Sequence, residues 1–162
     1  MNANEQIDEA LRILRIIVAA MMMGVLALGV VAIFIGQQAK PDAKLANILL
    51  VLLAVMAVWE LIAYAVVRVS MLNRVRRRFA ENPPGADPTP ELIGTFQSLT
   101  TIGSALAEGL GLFGAVIMLI TGAWAALAAP AVALIVLALQ LPSRDKLARF
   151  VSGVTGQQWS EM

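Results

Sequence analysis

The sequence predicts an all-α polytopic membrane protein, four transmembrane helices in two hairpins, forming one domain over residues 1–162. Three observations lead there. Hydrophobic residues make up 59% of the 162 and charged residues only 14%, against about 45–50% and about 25% in soluble domains. The apolar residues are also clustered: no charge falls between Arg15 and Lys40, between Lys44 and Glu60, or between Glu108 and Arg144. Runs of about eighteen apolar residues are long enough to cross a bilayer as helices. Finally, the breaks between runs carry turn chemistry.

The first span is expected over about residues 13–35, "ILRIIVAAMMMGVLALGVVAIFI", followed by the loop "GQQAKPDAK". The second covers about 45–67 and ends in the basic tract "RVSMLNRVRRRF". Residues 68–91 then form a loop, because the prolines and Gly85 of "AENPPGADPTPE" cannot continue a helix. Thr89-Pro90-Glu91 reads as the start of the third helix: a hydroxyl cap, a proline in the first turn and an acid at the positive dipole end. That span runs over about 92–120. "TGAW" turns the chain, and the fourth span covers about 123–141, with Pro130 expected to kink it. After Pro142-Ser143, "RDKLARFV" reads as a short helix lying at the interface.

Orientation follows from lysine and arginine. Four spans place the N-terminus, the 68–91 loop and the C-terminus on one side, with Arg12, Arg15, Arg68, Arg74, Arg76, Arg77, Arg78, Arg144, Lys146 and Arg149. Ten of the twelve basic residues lie there, against Lys40 and Lys44 on the other side. Both termini are therefore expected in the cytoplasm, and the protein in the inner membrane. Trp124 falls at the outer edge of the fourth span, as in an aromatic belt. Glu5, Asp8 and Glu9 precede the first apolar run where a signal peptide would be basic, so no cleaved signal is expected.

Composition also excludes chemistry. There is no cysteine and no histidine, which removes thiolate chemistry, iron–sulfur ligation, the usual haem ligand and the usual general base. No metal site and no cofactor are expected, and no enzymatic activity. The formal net charge of +1 gives no field for nucleic acid. Arg74, Arg76, Arg77 and Arg78 read first as a positive-inside anchor; the alternative reading is a lipid-facing array that attracts anionic lipid at about 1 kcal/mol per basic residue.

Two carboxyls stand inside the apolar runs. Glu108 is near the middle of the third span and Glu60 in the second. Counted at about 1.5 Å per residue, they reach similar depth. An ionisable group at mid-span costs on the order of 3 kcal/mol, and hydrocarbon disfavours the charged form of any carboxyl. Gln97, Thr101, Ser104, Glu108, Gly111 and Ala115 follow helical spacing on one face, expected to meet other helices. Leu99, Ile102, Leu106, Leu110, Phe113 and Ile117 occupy the other, expected to meet lipid. Tyr64 stands one turn after Glu60 and can donate a hydrogen bond to a carboxylate. Two readings stay open: a proton or cation site built on Glu108 and Glu60 with Ser104, Tyr64, Gln97 and Thr101, or protonated carboxyls that only join helices.

The stretch "ELIGTFQSLTTIGSALAEGLGLFGAVIMLI", residues 91–120, resembles the second helix of the proteolipid c subunit of rotary ATP synthases. A G-T lead-in is followed by A-L-A-E and then by a small residue, an aromatic and an apolar run. The resemblance implies that Glu108 is the ion-carrying carboxylate. Sodium-binding members have a hydroxyl and a tyrosine where this chain has Gly109 and Phe113, so the resemblance implies a proton. The family's glycine-repeat helix has no counterpart here, since "ANILLVLLAVMAVWELIAYAVV" holds no glycine. Over most of its length the chain resembles a group of uncharacterised bacterial four-helix inner-membrane proteins with an arginine-rich central loop, a T-I-x-x-A-L-x-E-G pattern in the third helix and Pro-Ser/Thr-Arg after the fourth. Small multidrug antiporters carry their membrane glutamate in the first helix, where this chain has none. The expectation is a proton-responsive component in contact with membrane lipid, assembled as a homo-oligomer or as a subunit of a membrane complex. The alternative is a structural or accessory subunit.

Overall fold

The computed structural model describes residues 3–39, 42–81 and 89–155, and these are all-α. Helix α1 spans Ala3–Gly36, α2 Ala43–Glu81, α3 Thr89–Thr121, α4 Ala128–Gln140 and α5 Arg144–Thr155, with a 3-10 turn at Trp124–Leu127 leading into α4. Three stretches are long and apolar enough to cross a membrane: Ile7–Gly36, Ala43–Arg77 and Glu91–Thr121. A fourth is added if Trp124–Gln140 and Arg144–Val154, bent by 76°, count as one span. At about 1.5 Å per residue α1, α2 and α3 each reach about 50 Å or more, beyond the roughly 30 Å hydrocarbon core. Their charged ends project past it.

Packing is organised around α3. Of the most apolar window in each helix, 39% of α3 is buried against 6% of α2 and 22% of α1. Helices α1, α2, α4 and α5 all pack on α3, whereas α1 and α2, consecutive in the chain, share no substantial contact. Three apolar clusters run along the bundle. At one end Ile7 and Leu11 of α1 meet Val75 of α2, Leu92 and Ile93 of α3, and Leu147 and Val151 of α5. In the middle Val18 and Val25 of α1 pack on Ala133 and Leu137 of α4. At the far end Ala32, Leu53, Ala115, Met118 and Ala126 close the structure. Residues from α2 enter the two end clusters and are missing from the middle one, so a cleft opens along its central turns.

The contact of α3 with α4 is made by small residues. A Cβ placed on Gly114 would lie 2.5 Å from the Ala129 Cβ and 2.8 Å from the Ala126 carbonyl, and one on Gly111 would lie 2.7 Å from the Ala133 Cβ. Lipid supplies no hydrophobic drive between helices, so this close approach is what gains dispersion energy. The chain turns from α3 through Gly122, whose φ is +65°. Thr121 stabilises the turn by donating to the Ile117 carbonyl at 2.7 Å and accepting from the Ala123 N–H at 3.2 Å.

The α4–α5 corner is tied down by charged side chains. Lys146 donates from Nζ to the carbonyls of Leu139 and Leu141, both at 2.7 Å, which satisfies the end of α4. Arg15 Nε donates to the Pro142 carbonyl at 3.0 Å. Arg144 forms a bidentate pair with Asp8, its Nε reaching Oδ1 at 2.8 Å. That hydrogen bond and the Asp8 charge hold the guanidinium pKa above its ordinary value; the pair is exposed and contributes little stability. The apolar face of α5 turns onto the bundle, where the Phe150 ring meets Phe96 at 5.6 Å between centroids.

Several expectations change. Helix α2 does not end at Val67 but continues to Glu81, so the basic tract is a helical extension rather than a loop. The bulky side of α3 is not lipid-facing: Leu99 and Ile117 are buried and Ile102, Leu106, Leu110 and Phe113 half-buried. Helices flank α3 on several sides, leaving only Ala105, Gly109, Val116 and Ile120 exposed among its described side chains. Pro130 produces no mid-helix kink. It sits in the first turn of α4, and the tighter winding precedes it at Trp124–Leu127. Helix α3 does start at Thr89, although the side chains of Thr89 and Pro90, like residues 82–88 and Lys40, lie outside the described residues.

Gly114→Ala should lower thermal stability in detergent by about 1–3 kcal/mol through overpacking. Gly29→Ala, with nothing within 4 Å of the added methyl, should leave the melting temperature unchanged or raise it.

Candidate functional site

The cleft beside the middle of α2 has a volume of about 160 Å³ and is walled by α2, α3 and α4. Its polar residues are Glu60 and Tyr64 from α2 and Gln140 from the end of α4; the rest of the lining is apolar or glycine, with Leu61, Leu106 and Val136 among it. No lysine or arginine lines it. Glu60 and Tyr64 stand one turn apart and share the cleft, as their spacing predicts. Tyr64 is not hydrogen-bonded to the carboxyl; its ring lies against α3, with Cε2 3.0 Å from where a Cβ on Gly103 would stand. The Gln140 amide fills the other side of that glycine at 3.1 Å. A Cβ at Gly103 would oblige one of the two side chains to shift by a few tenths of an ångström.

Ser104 is fully buried, and its hydroxyl donates to Gln140 Oε1 at 2.7 Å. The expected partner of Ser104 was a carboxyl; the actual one is an amide from another helix. Gln140 is the residue that sequence reasoning missed. Its signal was present: it is the lone polar side chain in "AVALIVLALQLP".

Glu108 occupies a different sector. Its Oε1 lies 3.3 Å from the position of a Cβ on Gly24, so the side chain packs on α1. Glu60 Oε1 lies 3.9 Å from the corresponding point on Gly109. The two carboxyls thus share a depth, adjacent residues of α3 marking the level of both, but they face opposite neighbours. No hydrogen bond joins them, and neither carboxyl has a hydrogen bond or ion pair among the described residues. Thr101 and Gln97 lie about two and three turns before Glu108 on α3, half-buried, and do not line the cleft.

The basic tract stands apart from this site. Arg74, Arg76 and Arg77 are exposed on the extension of α2, and Arg76 makes only a long bond of 3.4 Å to the Gly153 carbonyl. The Arg78 side chain lies outside the described residues. Among the described residues no group of three acidic side chains could hold a metal ion. No protein family, curated protein or solved structure matches this chain.

The Ser104–Gln140 bond should behave as a modest interhelical tie. A double-mutant cycle with Ser104→Ala and Gln140→Leu, read from unfolding in detergent, should give a coupling of about 0.6–1.7 kcal/mol.

Proposed function

We propose that this is a proton-responsive membrane protein in which Glu60 takes up and releases a proton inside the α2–α3–α4 cleft, with Glu108 as a second carboxyl at the same depth. The proposal includes four spans in two hairpins, both termini on the cytoplasmic side of an inner membrane, and assembly as a homo-oligomer or within a membrane complex. The observation that carries it is a carboxyl in an apolar membrane-level cleft with no cation and no hydrogen-bond donor on it. A carboxyl kept to hold helices together is expected to be hydrogen-bonded across an interface. Here that tie is made by Ser104 and Gln140, and the carboxyls take no part in it. Intramembrane carboxyls in such settings serve proton or ion pathways, and the neutral form is the one such a cleft tolerates. Glu108, packed on Gly24, also lacks a hydrogen bond among the described residues but lies outside the cleft.

The test is labelling with a hydrophobic carbodiimide in lipid nanodiscs across pH, read by peptide mass. Glu60 should be modified faster than Glu108, and the modification should fade as pH rises, because only the protonated carboxyl reacts. An unmodified Glu60 at every pH in folded protein would return the site to a packing role. Glu60→Gln should assemble normally and lose a pH-dependent carboxyl band in difference infrared spectra. Loss of folded protein in both Glu60→Gln and Glu60→Ala would argue for packing instead.

Sidedness is tested on single cysteines, for which the cysteine-free chain gives no background. In intact cells an impermeant maleimide should label Gln37→Cys, whereas Arg77→Cys should react only after lysis.

A further inference from the structure

A second cleft, of about 470 Å³, lies next to the first at the chain-terminal end of the bundle. It is walled by α2, α3, the end of α4 and α5, and it shares Tyr64 and Gln140 with the carboxyl cleft. Arg68, Lys146 and Arg149 line it together, and no acidic residue does. Neither the Arg68 nor the Arg149 guanidinium has a hydrogen bond or ion pair among the described residues. Lys146 spends two of its three N–H donors on the carbonyls ending α4 and keeps one. Apart from Tyr64, Gln140 and Thr100, the remaining wall is apolar, with Leu72, Leu99 and the paired rings of Phe96 and Phe150.

Three cations drawn from two separate elements, beside an apolar wall, select an occupant that is anionic at one end and hydrocarbon at the other. We infer that this cleft binds one anionic phospholipid, its phosphate held by Arg68, Arg149 and the free donor of Lys146 and its upper chain lying on Leu72, Leu99 and Phe96. The volume falls within the roughly 300–1,000 Å³ of small-molecule sites. The position suits the ligand: Arg68 follows the apolar run of α2, and α5 turns through 76° at the same level, so the cations stand where a headgroup layer meets the hydrocarbon. This site is distinct from the exposed arginines further along α2, which offer charge without a cleft. It rests on the membrane setting of the helices and not on the proton chemistry of Glu60.

The experiment is native mass spectrometry of the full chain in detergent, titrated with phosphatidylglycerol or phosphatidylcholine. The expected result is retention of one phosphatidylglycerol in preference to phosphatidylcholine. The affinity should fall by about fivefold for each arginine lost in Arg68→Gln and Arg149→Gln, with no change in a control pair, Arg12→Gln and Lys44→Gln. Equal retention of the two lipids, or an equal loss in the control pair, would overturn the site. Displacement of phosphatidylglycerol by millimolar inorganic phosphate would assign the cations to a soluble phosphorylated ligand and overturn the lipid. Should the arginine variants fail to fold, a photoreactive phosphatidylglycerol on the wild-type chain replaces them. Adducts at residues 68–72 or 146–150 support the cleft, and adducts confined to residues 74–77 refute it. None of these outcomes alters the carbodiimide reading of Glu60, so the two proposals fail separately.

Discussion

The close approach of α3 to α4 is the contact on which the rest of the molecule depends. Gly111 and Gly114 let the backbone of α3 lie against Ala133 and Ala129, and no larger side chains would allow it. In lipid the gain from such contact is dispersion and interhelical bonding rather than the exclusion of water. Helix α4 needs that contact because it is short. With its 3-10 turn it covers only Trp124–Gln140, near the lower limit for crossing about 30 Å of hydrocarbon. Held at that distance, it ends level with Ser104 and delivers Gln140 to it. The Lys146 cap and the Arg15 bond to Pro142 then fix where the chain turns into α5.

The same packing explains why one carboxyl has a cleft and the other does not. Middle-bundle contacts are made by α1, α3 and α4, while α2 is pinned at its two ends by Leu53 and Val75. Its central turns stand away from the bundle, and Glu60 occupies the space so created. Glu108 lies at the same level but is turned to α1, where Gly24 leaves room for its oxygen. The geometry therefore describes two separate carboxyls rather than a pair sharing one proton. It also bears on the likeness of α3 to a proteolipid helix: here that helix is flanked by its own chain, and its exposed stripe is Ala105, Gly109, Val116 and Ile120.

Much of the fold was legible because hydrocarbon imposes so few solutions. Charge gaps located the apolar helices, Thr89 marked the start of α3, and "RDKLARFV" after Pro142-Ser143 read as the short helix that became α5. The errors have physical causes. Charges after Val67 mark where hydrocarbon ends, not where a helix ends, and nothing between Val67 and Pro83 breaks one. The apolar side of α3 was assigned to lipid because a single sequence shows which face is apolar and not how many neighbours surround it. In the site, the depth of Glu60 and Glu108 and the shared face of Glu60 and Tyr64 followed from helical arithmetic. Which hydroxyl met which partner did not, since Ser104 and Gln140 are brought together by the angle between α3 and α4.

Taken together, the two clefts form one continuous feature with a polarity. Tyr64 and Gln140 stand in both walls, so the carboxyl end and the cationic end are separated by a phenol and an amide, groups that donate and accept protons without carrying charge. Arg68 lies eight residues from Glu60 on one helix, about 12 Å along its axis. That distance is comparable to a Debye length in water, but the intervening path is protein and hydrocarbon, where screening is weaker. Under the two proposals, a charge bound in the cationic cleft would be felt at Glu60, and protonation of Glu60 would be felt in turn by that occupant. By linkage the two effects are equal in free energy. A carboxyl in an apolar site is sensitive to small changes in local field because nothing else holds its charge. The proposed anion site, one step away along the same helix, is the place from which such a change would come.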